Sequence, residues 1–101
     1  MMKHIVMWKL KDHAVGRDRA ANAARMKAEL ESLLGRIPGL LHLEVGLNVE
    51  PSDAAFDVVL YSEFEDADAL TAYQTHPEHA RVAEFIGRVR AERVLVDYSP
   101  S

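Results

Sequence analysis

Two histidines and a tyrosine lie close together in the segment Tyr73-Gln74-Thr75-His76-Pro77-Glu78-His79. An imidazole accepts or donates a proton near neutral pH, and a phenol hydroxyl donates a hydrogen bond to an oxygen on which negative charge develops. Pro77 ends one helix at His76 and suits the first turn of the next helix, so side chains from two helix ends can meet here. The segment therefore predicts an acid/base site, with His79 as the base or acid and Tyr73 as the donor.

The same residues also have a purely structural interpretation. His79 precedes Val82 and Ile86 by three and seven residues, so it continues an apolar helical stripe that faces the sheet. A histidine at a helix break can instead bind the unpaired backbone groups there, and Tyr73 can be an ordinary core residue. His4 is a third candidate for the site, because it shares a strand face with Trp8, or else it is a partly exposed residue at a strand end.

A metal site is the next possibility, because His76 and His79 are three residues apart and His4 and Asp57 are conceivable further ligands. Pro77 interrupts the continuous helix on which such a pair usually sits, and the chain has no cysteine. The five glycines are isolated, so neither a phosphate-binding loop nor a dinucleotide fingerprint is present. We expect neither a metal nor a cofactor.

Composition narrows the remaining classes of protein. The chain has 101 residues, 12 basic and 16 acidic, with a net charge of -4, which predicts one domain over residues 1–101. The basic residues are scattered, which argues against nucleic-acid or anionic membrane binding. No apolar stretch approaches the ~20 residues of a membrane-spanning helix, and the first residues are too quickly polar for a signal peptide. We expect a cytoplasmic protein.

Hydrophobic periodicity supplies the elements that would position these side chains. Alternating or continuous apolar residues predict strands over 4–10, 40–49, 56–64 and 94–98. A helical stripe runs from Ala20 to Leu34, and Asp66 caps a second helical region that Pro77 divides. The order β-α-β-β-α-β predicts a ferredoxin-like α+β fold, with a four-stranded antiparallel sheet and the helices on one face.

The two faces of this sheet have different predicted roles. We expect the helices to cover Val6, Trp8, Val58, Leu60, Val94 and Val96, and a ligand pocket between helices and sheet to be lined by Trp8, Val58, Leu60, Val82 and Ile86. The opposite face keeps Ile5, Met7, Val59, Tyr61 and Leu95. Because a contiguous exposed apolar patch marks an interaction surface, we predict a homodimer in which two sheets face each other as a barrel.

Several short motifs also carry a family resemblance over nearly the whole chain. They are His4 to Lys11, Ile37-Pro38-Gly39, Phe64-Glu65-Asp66, Tyr73 through His79, and Val96-Asp97-Tyr98. In this order and spacing they resemble the stress-responsive A/B barrel domain, often called Dabb. The resemblance implies a ferredoxin-like protomer and a dimeric α+β barrel, in agreement with the fold predicted from the residue pattern.

Function is a weaker part of the resemblance, since most family members are known only as stress-associated proteins. A similar plant enzyme closes a linear polyketide by aldol condensation without a cofactor. By that resemblance His79 is the general base, Tyr73 orients and polarises the substrate carbonyl, and His4 matches a pocket histidine. This chain departs from that enzyme at Val58, where the cyclase has another pocket histidine, so the resemblance implies a more apolar pocket.

We therefore expect a small hydrophobic or aromatic ligand in the pocket and cofactor-independent, polyketide cyclase-like chemistry. Two alternatives stay open. One is a non-enzymatic, stress-associated structural protein that forms a dimer or a larger oligomer. The other is a cofactor-free monooxygenase, an activity that dimeric α+β barrels also host.

Overall fold

The computed structural model describes residues 1–100. Its elements in chain order are β1 (Met2–Leu10), β2 (His13–Ala14), β3 (Arg17–Asp18), α1 (Arg19–Glu31), β4 (Leu40–Leu47), β5 (Val58–Phe64), α2 (Ala67–Thr75), α3 (Pro77–Val89) and β6 (Arg90–Tyr98). Four strands form one sheet in the order β4-β5-β1-β6, and every neighbouring pair is antiparallel. This confirms the predicted ferredoxin-like α+β fold.

A short hairpin of β2 and β3, which is not among the predicted strands, lies before α1. Its two loop residues, Val15 and Gly16, both have positive φ angles, 49° and 76°. Positive φ at both positions of a two-residue loop matches the twist of an antiparallel pair. The side chain of Asn22 donates to the Ala14 carbonyl at 3.1 Å and so ties the hairpin to α1.

The helix break lies where the sequence predicted it. The Asp66 carboxylate accepts from the Ala69 backbone N–H at 2.8 Å and caps α2, and α2 ends at His76, which has an extended backbone with ψ 137°. Pro77 opens α3, where its missing N–H leaves no bond unmade. His79 therefore lies in the first turn of α3, close to the last turn of α2 that carries Tyr73.

The core fills the space between the helices and one face of the sheet. Val6, Leu60 and Phe64 project from the strands, and Met26 and Val82 meet them from α1 and α3, each at most 2% exposed. Helix α1 packs mainly along β4 and also contacts α3. The helices therefore bury one sheet face and leave the other open.

The open face carries most of the predicted interface residues. Ile5 lies opposite Tyr61 and Met7 lies opposite Val59 in the β1–β5 pair, so these four side chains share that face. Met7 is 40% exposed, although its side chain is apolar.

The face predicted for the last strand is wrong. Leu95 lies opposite Val6, which places it on the helix-facing side, while Val94 and Val96 lie opposite Met7 and Ile5 on the open face. All nine residues of β6 are exposed at this edge of the sheet. Because Val94, Leu95 and Val96 are all apolar, the sequence contains no contrast between the two faces from which the correct phase could be read.

Candidate functional site

A cavity of about 240 Å³ lies between the helices and the sheet, beside the helix break. Its apolar wall is formed by Val6, Trp8, Leu30, Leu60, Val82 and Ile86, with the small residues Ala83 and Gly87 between them. Its polar groups are His4, Tyr73, His79, Arg90 and Arg93. The three side chains predicted for acid/base work therefore border one space, as do four of the five residues predicted to line the pocket.

Val58 is the predicted pocket residue that does not line this cavity. It faces the helices, as expected, but it is the first residue of β5, two residues before Leu60, and it lies opposite Trp8. There it is 2% exposed and belongs to the packed core. Val58 therefore packs in the core and does not line the cavity.

Tyr73 and His79 lie against one another at the cavity. Their ring centroids are 4.4 Å apart with an interplanar angle of 60°, and the Phe64 ring holds Tyr73 from another side at 4.9 Å. Burial and the Arg93 charge act on the Tyr73 hydroxyl, and no hydrogen bond from residues 1–100 is among these influences. Burial raises the pKa of this phenol to about 12, although the Arg93 charge acts in the opposite direction. The hydroxyl is therefore a protonated donor at neutral pH.

His79 is kept neutral by its surroundings. Burial lowers its pKa below the usual 6.5, and the nearby His4, Arg93 and His76 lower it further, while the Gln74 backbone carbonyl acts against them. Its Nδ1 atom is buried and has no hydrogen-bond partner among the described residues.

The capping role at the helix break belongs to the neighbouring histidine. His76 Nδ1 accepts from the Glu78 backbone N–H at 3.1 Å, so the helix end does not need His79. His79 lines the cavity, and a neutral imidazole can accept a proton from a molecule there.

His4 also reaches the cavity, and it has a partner that the sequence analysis missed. Its Nδ1 is hydrogen-bonded to the Asp97 carboxylate, which lies opposite it on β6. Ser62 donates to the His4 backbone carbonyl at 2.9 Å and holds the strand beside it. His4 is 3% exposed, and its ring centroid is 6.2 Å from that of Tyr73. Asp97 thus fixes the ring orientation and leaves Nε2 as the other functional nitrogen.

Two arginines at the cavity were also missed. Arg90 and Arg93 belong to β6, and Arg93 lies opposite Trp8, on the helix-facing side of the sheet. Their charged side chains gave no sign of this position, because the predicted last strand began at Val94. Side chains two residues apart on a strand share a face, so Arg93 lies on the same face as Leu95. Because Leu95 was predicted on the open face, this relation did not place Arg93 at the cavity.

The structure does not bring the conceivable metal ligands together. Asp57 lies at the far end of the sheet, where its carboxylate accepts from the Leu10 backbone N–H at 2.7 Å. Residues 1–100 contain no cluster of three or more His, Cys, Asp or Glu side chains that could hold a metal ion. In the same part of the chain, no helix is long and apolar enough to cross a membrane.

A second and larger hollow, of about 700 Å³, lies at that far end of the sheet. It is an open groove bordered by Lys9, Asn48, Asp57 and Glu92, and neither a histidine nor a tyrosine lines it. Because histidine and tyrosine side chains converge only on the smaller cavity among these two, that cavity is the candidate functional site.

Comparison with known proteins agrees with this fold. The family model "Stress responsive A/B Barrel Domain" matches residues 2–100. An uncharacterized protein of Streptomyces coelicolor is 38% identical over 99 residues, which cover 97% of this chain and 98% of that protein.

Solved structures give the same result. A dimeric protein of unknown function with a ferredoxin-like fold, from Bacteroides fragilis, superposes with a TM-score of 0.86 at 33% identity, covering 98% of this chain and 95% of that chain. A hydroxynitrile lyase from Passiflora edulis superposes with a TM-score of 0.76 at 19% identity, covering 96% of this chain and 90% of that chain. The similarity to the lyase shows the fold alone.

Proposed function

Because the chain belongs to the stress-responsive A/B barrel domain family, we propose that it is a homodimer that binds a small aromatic or hydrophobic carbonyl compound in the helix–sheet cavity. We further propose that it removes a proton from the carbon next to that carbonyl without a cofactor. Family membership does not fix an activity, which depends on the groups that line the site.

The observation that supports this proposal most strongly is the pairing of Tyr73 with His79 at the cavity. A phenol that stays protonated can donate, and an imidazole that stays neutral can accept. These are the two requirements for enolisation, in which a base takes a proton from carbon while negative charge moves to oxygen. The apolar wall would hold the ring or chain of the ligand against them.

In the proposed reaction the His79 imidazole takes the proton, the electron pair of the broken C–H bond forms the enolate, and the Tyr73 hydroxyl donates to the enolate oxygen. The enolate carbon then takes a proton back or attacks a second carbonyl carbon, which forms a C–C bond of the aldol type. The proton held by His79 then passes to the oxygen of the second carbonyl, and His4, oriented by Asp97 through Nδ1, lies beside Tyr73 with Nε2 as an acceptor. Every proton moves between the ligand and these side chains.

The dimer part of the proposal is supported by the open sheet face and by the relative of known structure. Ile5, Met7 and Val96 form an apolar surface that the protomer does not cover, and the similar Bacteroides fragilis protein is described as dimeric. Two such faces packed about a two-fold axis bury the same patch on each protomer.

Deuterium exchange into acetophenone tests the chemistry. The methyl protons of this aromatic ketone exchange slowly in D2O, and we expect the protein to accelerate the exchange, as followed by NMR. His79→Gln should abolish the acceleration, whereas His13→Gln, which changes an exposed histidine of the β2–β3 hairpin, should not. Equal exchange rates with wild type and His79→Gln would contradict the proposal. A slower exchange with His79→Gln that is fully explained by a smaller amount of folded protein would contradict it as well.

A structural oligomer is the second candidate, and the exposed apolar side chains of the open face favour it. In that case the assembly itself is the function. Met7→Glu should then disrupt the assembly more than any change at His79. Retention of the assembly in Met7→Glu would count against this candidate.

A further inference from the structure

The cavity has an excess of hydrogen-bond donors and positive charge over acceptors. Arg90 and Arg93 line it, and none of its lining residues carries a carboxylate. The two acidic residues of β6 have other partners, since Glu92 pairs with Lys9 and Asp97 is hydrogen-bonded to His4. Within residues 1–100 neither arginine forms an ion pair, whereas Arg81 and Arg88 do so on α3. Two exposed arginines without an ion-pair partner thus border the cavity.

A buried donor at the same cavity has no acceptor either. Trp8 is 4% exposed, and its indole Nε1 is buried without a hydrogen-bond partner among the described residues. An indole N–H can only donate, and buried polar atoms are nearly always paired. Arg93 lies directly opposite Trp8 in the β1–β6 pair, so the two residues are neighbours in the cavity wall.

We infer that the ligand of this cavity carries a carboxylate group, which Arg93 binds with help from Arg90. A guanidinium group matches the two oxygens of a carboxylate with parallel hydrogen bonds. The apolar wall of Val6, Leu30 and Ile86 would hold a ring or short chain beyond that group. The substrate class is thus a small aromatic or aliphatic keto acid, and this inference rests on the proposed ligand-binding function.

A matched pair of probes separates charge from shape. Benzoate and benzamide have nearly the same size, but only benzoate is ionised at pH 7. Trp8 is the only tryptophan of the chain and lines the cavity, so its fluorescence reports binding of either probe. We expect the wild-type protein to bind benzoate at least tenfold more tightly than benzamide. Arg93→Gln should weaken benzoate binding about tenfold and leave benzamide binding unchanged, and Arg93→Lys should recover part of the loss.

Arg88→Gln is the control, because Arg88 is an exposed α3 residue paired with Glu84 and does not line the cavity. It should leave the binding of both probes unchanged. Equal binding of the two probes, or benzoate binding that is the same in wild type and Arg93→Gln, would overturn the carboxylate inference while leaving the ligand-binding proposal in place. Absence of binding by both probes would contradict the ligand-binding proposal and this inference with it.

Discussion

Removing a single oxygen atom, with Tyr73→Phe, separates the chemical role of Tyr73 from its packing role. The ring is 1% exposed and packs between Phe64 and His79, but the hydroxyl donates to no group of residues 1–100. The substitution therefore keeps the packing and leaves no protein acceptor unpaired. We expect the free energy of unfolding to change by less than about 0.5 kcal/mol, as for substitutions that disturb no such feature.

Tyr73→Ala supplies the contrast. Deleting a large buried aromatic side chain costs about 3–5 kcal/mol. For a domain of this size each kcal/mol corresponds to roughly 4–8 °C in Tm. Tyr73→Phe should therefore melt within a few degrees of the wild type, and Tyr73→Ala should melt far below it.

The same Tyr73→Phe variant should lose activity despite its stability. Loss of one donor to a developing oxyanion lowers kcat by about 100-fold to 1,000-fold in well-studied enzymes. We expect a decrease of that order in acetophenone exchange, measured beside urea unfolding of the same preparation. A destabilisation above about 1.5 kcal/mol would show that the hydroxyl has a structural partner, and an unchanged exchange rate would show that it is not the donor. Either result would refute the reasoning.

Three further predictions concern His79, Asp97 and the open sheet face. Because the pKa of His79 is lowered on folding, the unfolded chain takes up a proton at this histidine before the folded protein does, as the pH falls below about 6.5. The free energy of unfolding of the wild type should therefore decrease below that pH, and that of His79→Gln should decrease less. Urea unfolding across this pH range measures both. Asp97→Ala should lower the free energy of unfolding by about 1–3 kcal/mol, because it leaves His4 buried without its partner. Glu92→Ala, which removes an exposed partner of Lys9, is the control and should lower it by less than about 1 kcal/mol. Thermal melts compare the two variants. Met7→Glu should convert the dimer to a folded monomer in sedimentation experiments, and an unchanged sedimentation coefficient would exclude this face from the interface.

Most of the fold could be predicted because each element carries its own local signal. Asp66 and Pro77 mark the start of α2 and the start of α3, and β1 and β5 alternate clearly enough to separate their two faces. The last strand lacks such contrast, since Val94, Leu95 and Val96 are apolar in both registers. Its phase is set by hydrogen bonds to β1, which only the folded chain shows.

The site could be predicted in part for the same reason. Tyr73 and His79 lie close in sequence at a visible helix break, so their proximity follows from local geometry. The pairing of His4 with Asp97 joins residues 93 positions apart, and the position of Arg93 depends on the phase of β6. No local pattern encodes such contacts, which explains why Asp97 and the two arginines were missed and why Val58 was wrongly assigned to the cavity.

The most direct test of the central claim is to locate a bound carbonyl compound by NMR. Amide shifts of the 15N-labelled protein would be followed during titration with acetophenone. We expect saturable changes centred on Ala83 and Gly87, which border the cavity between the helices and the sheet. Changes confined to Ser52 and Ala55, which border the larger groove at the far end of the sheet, would contradict it, as would the absence of any saturable change.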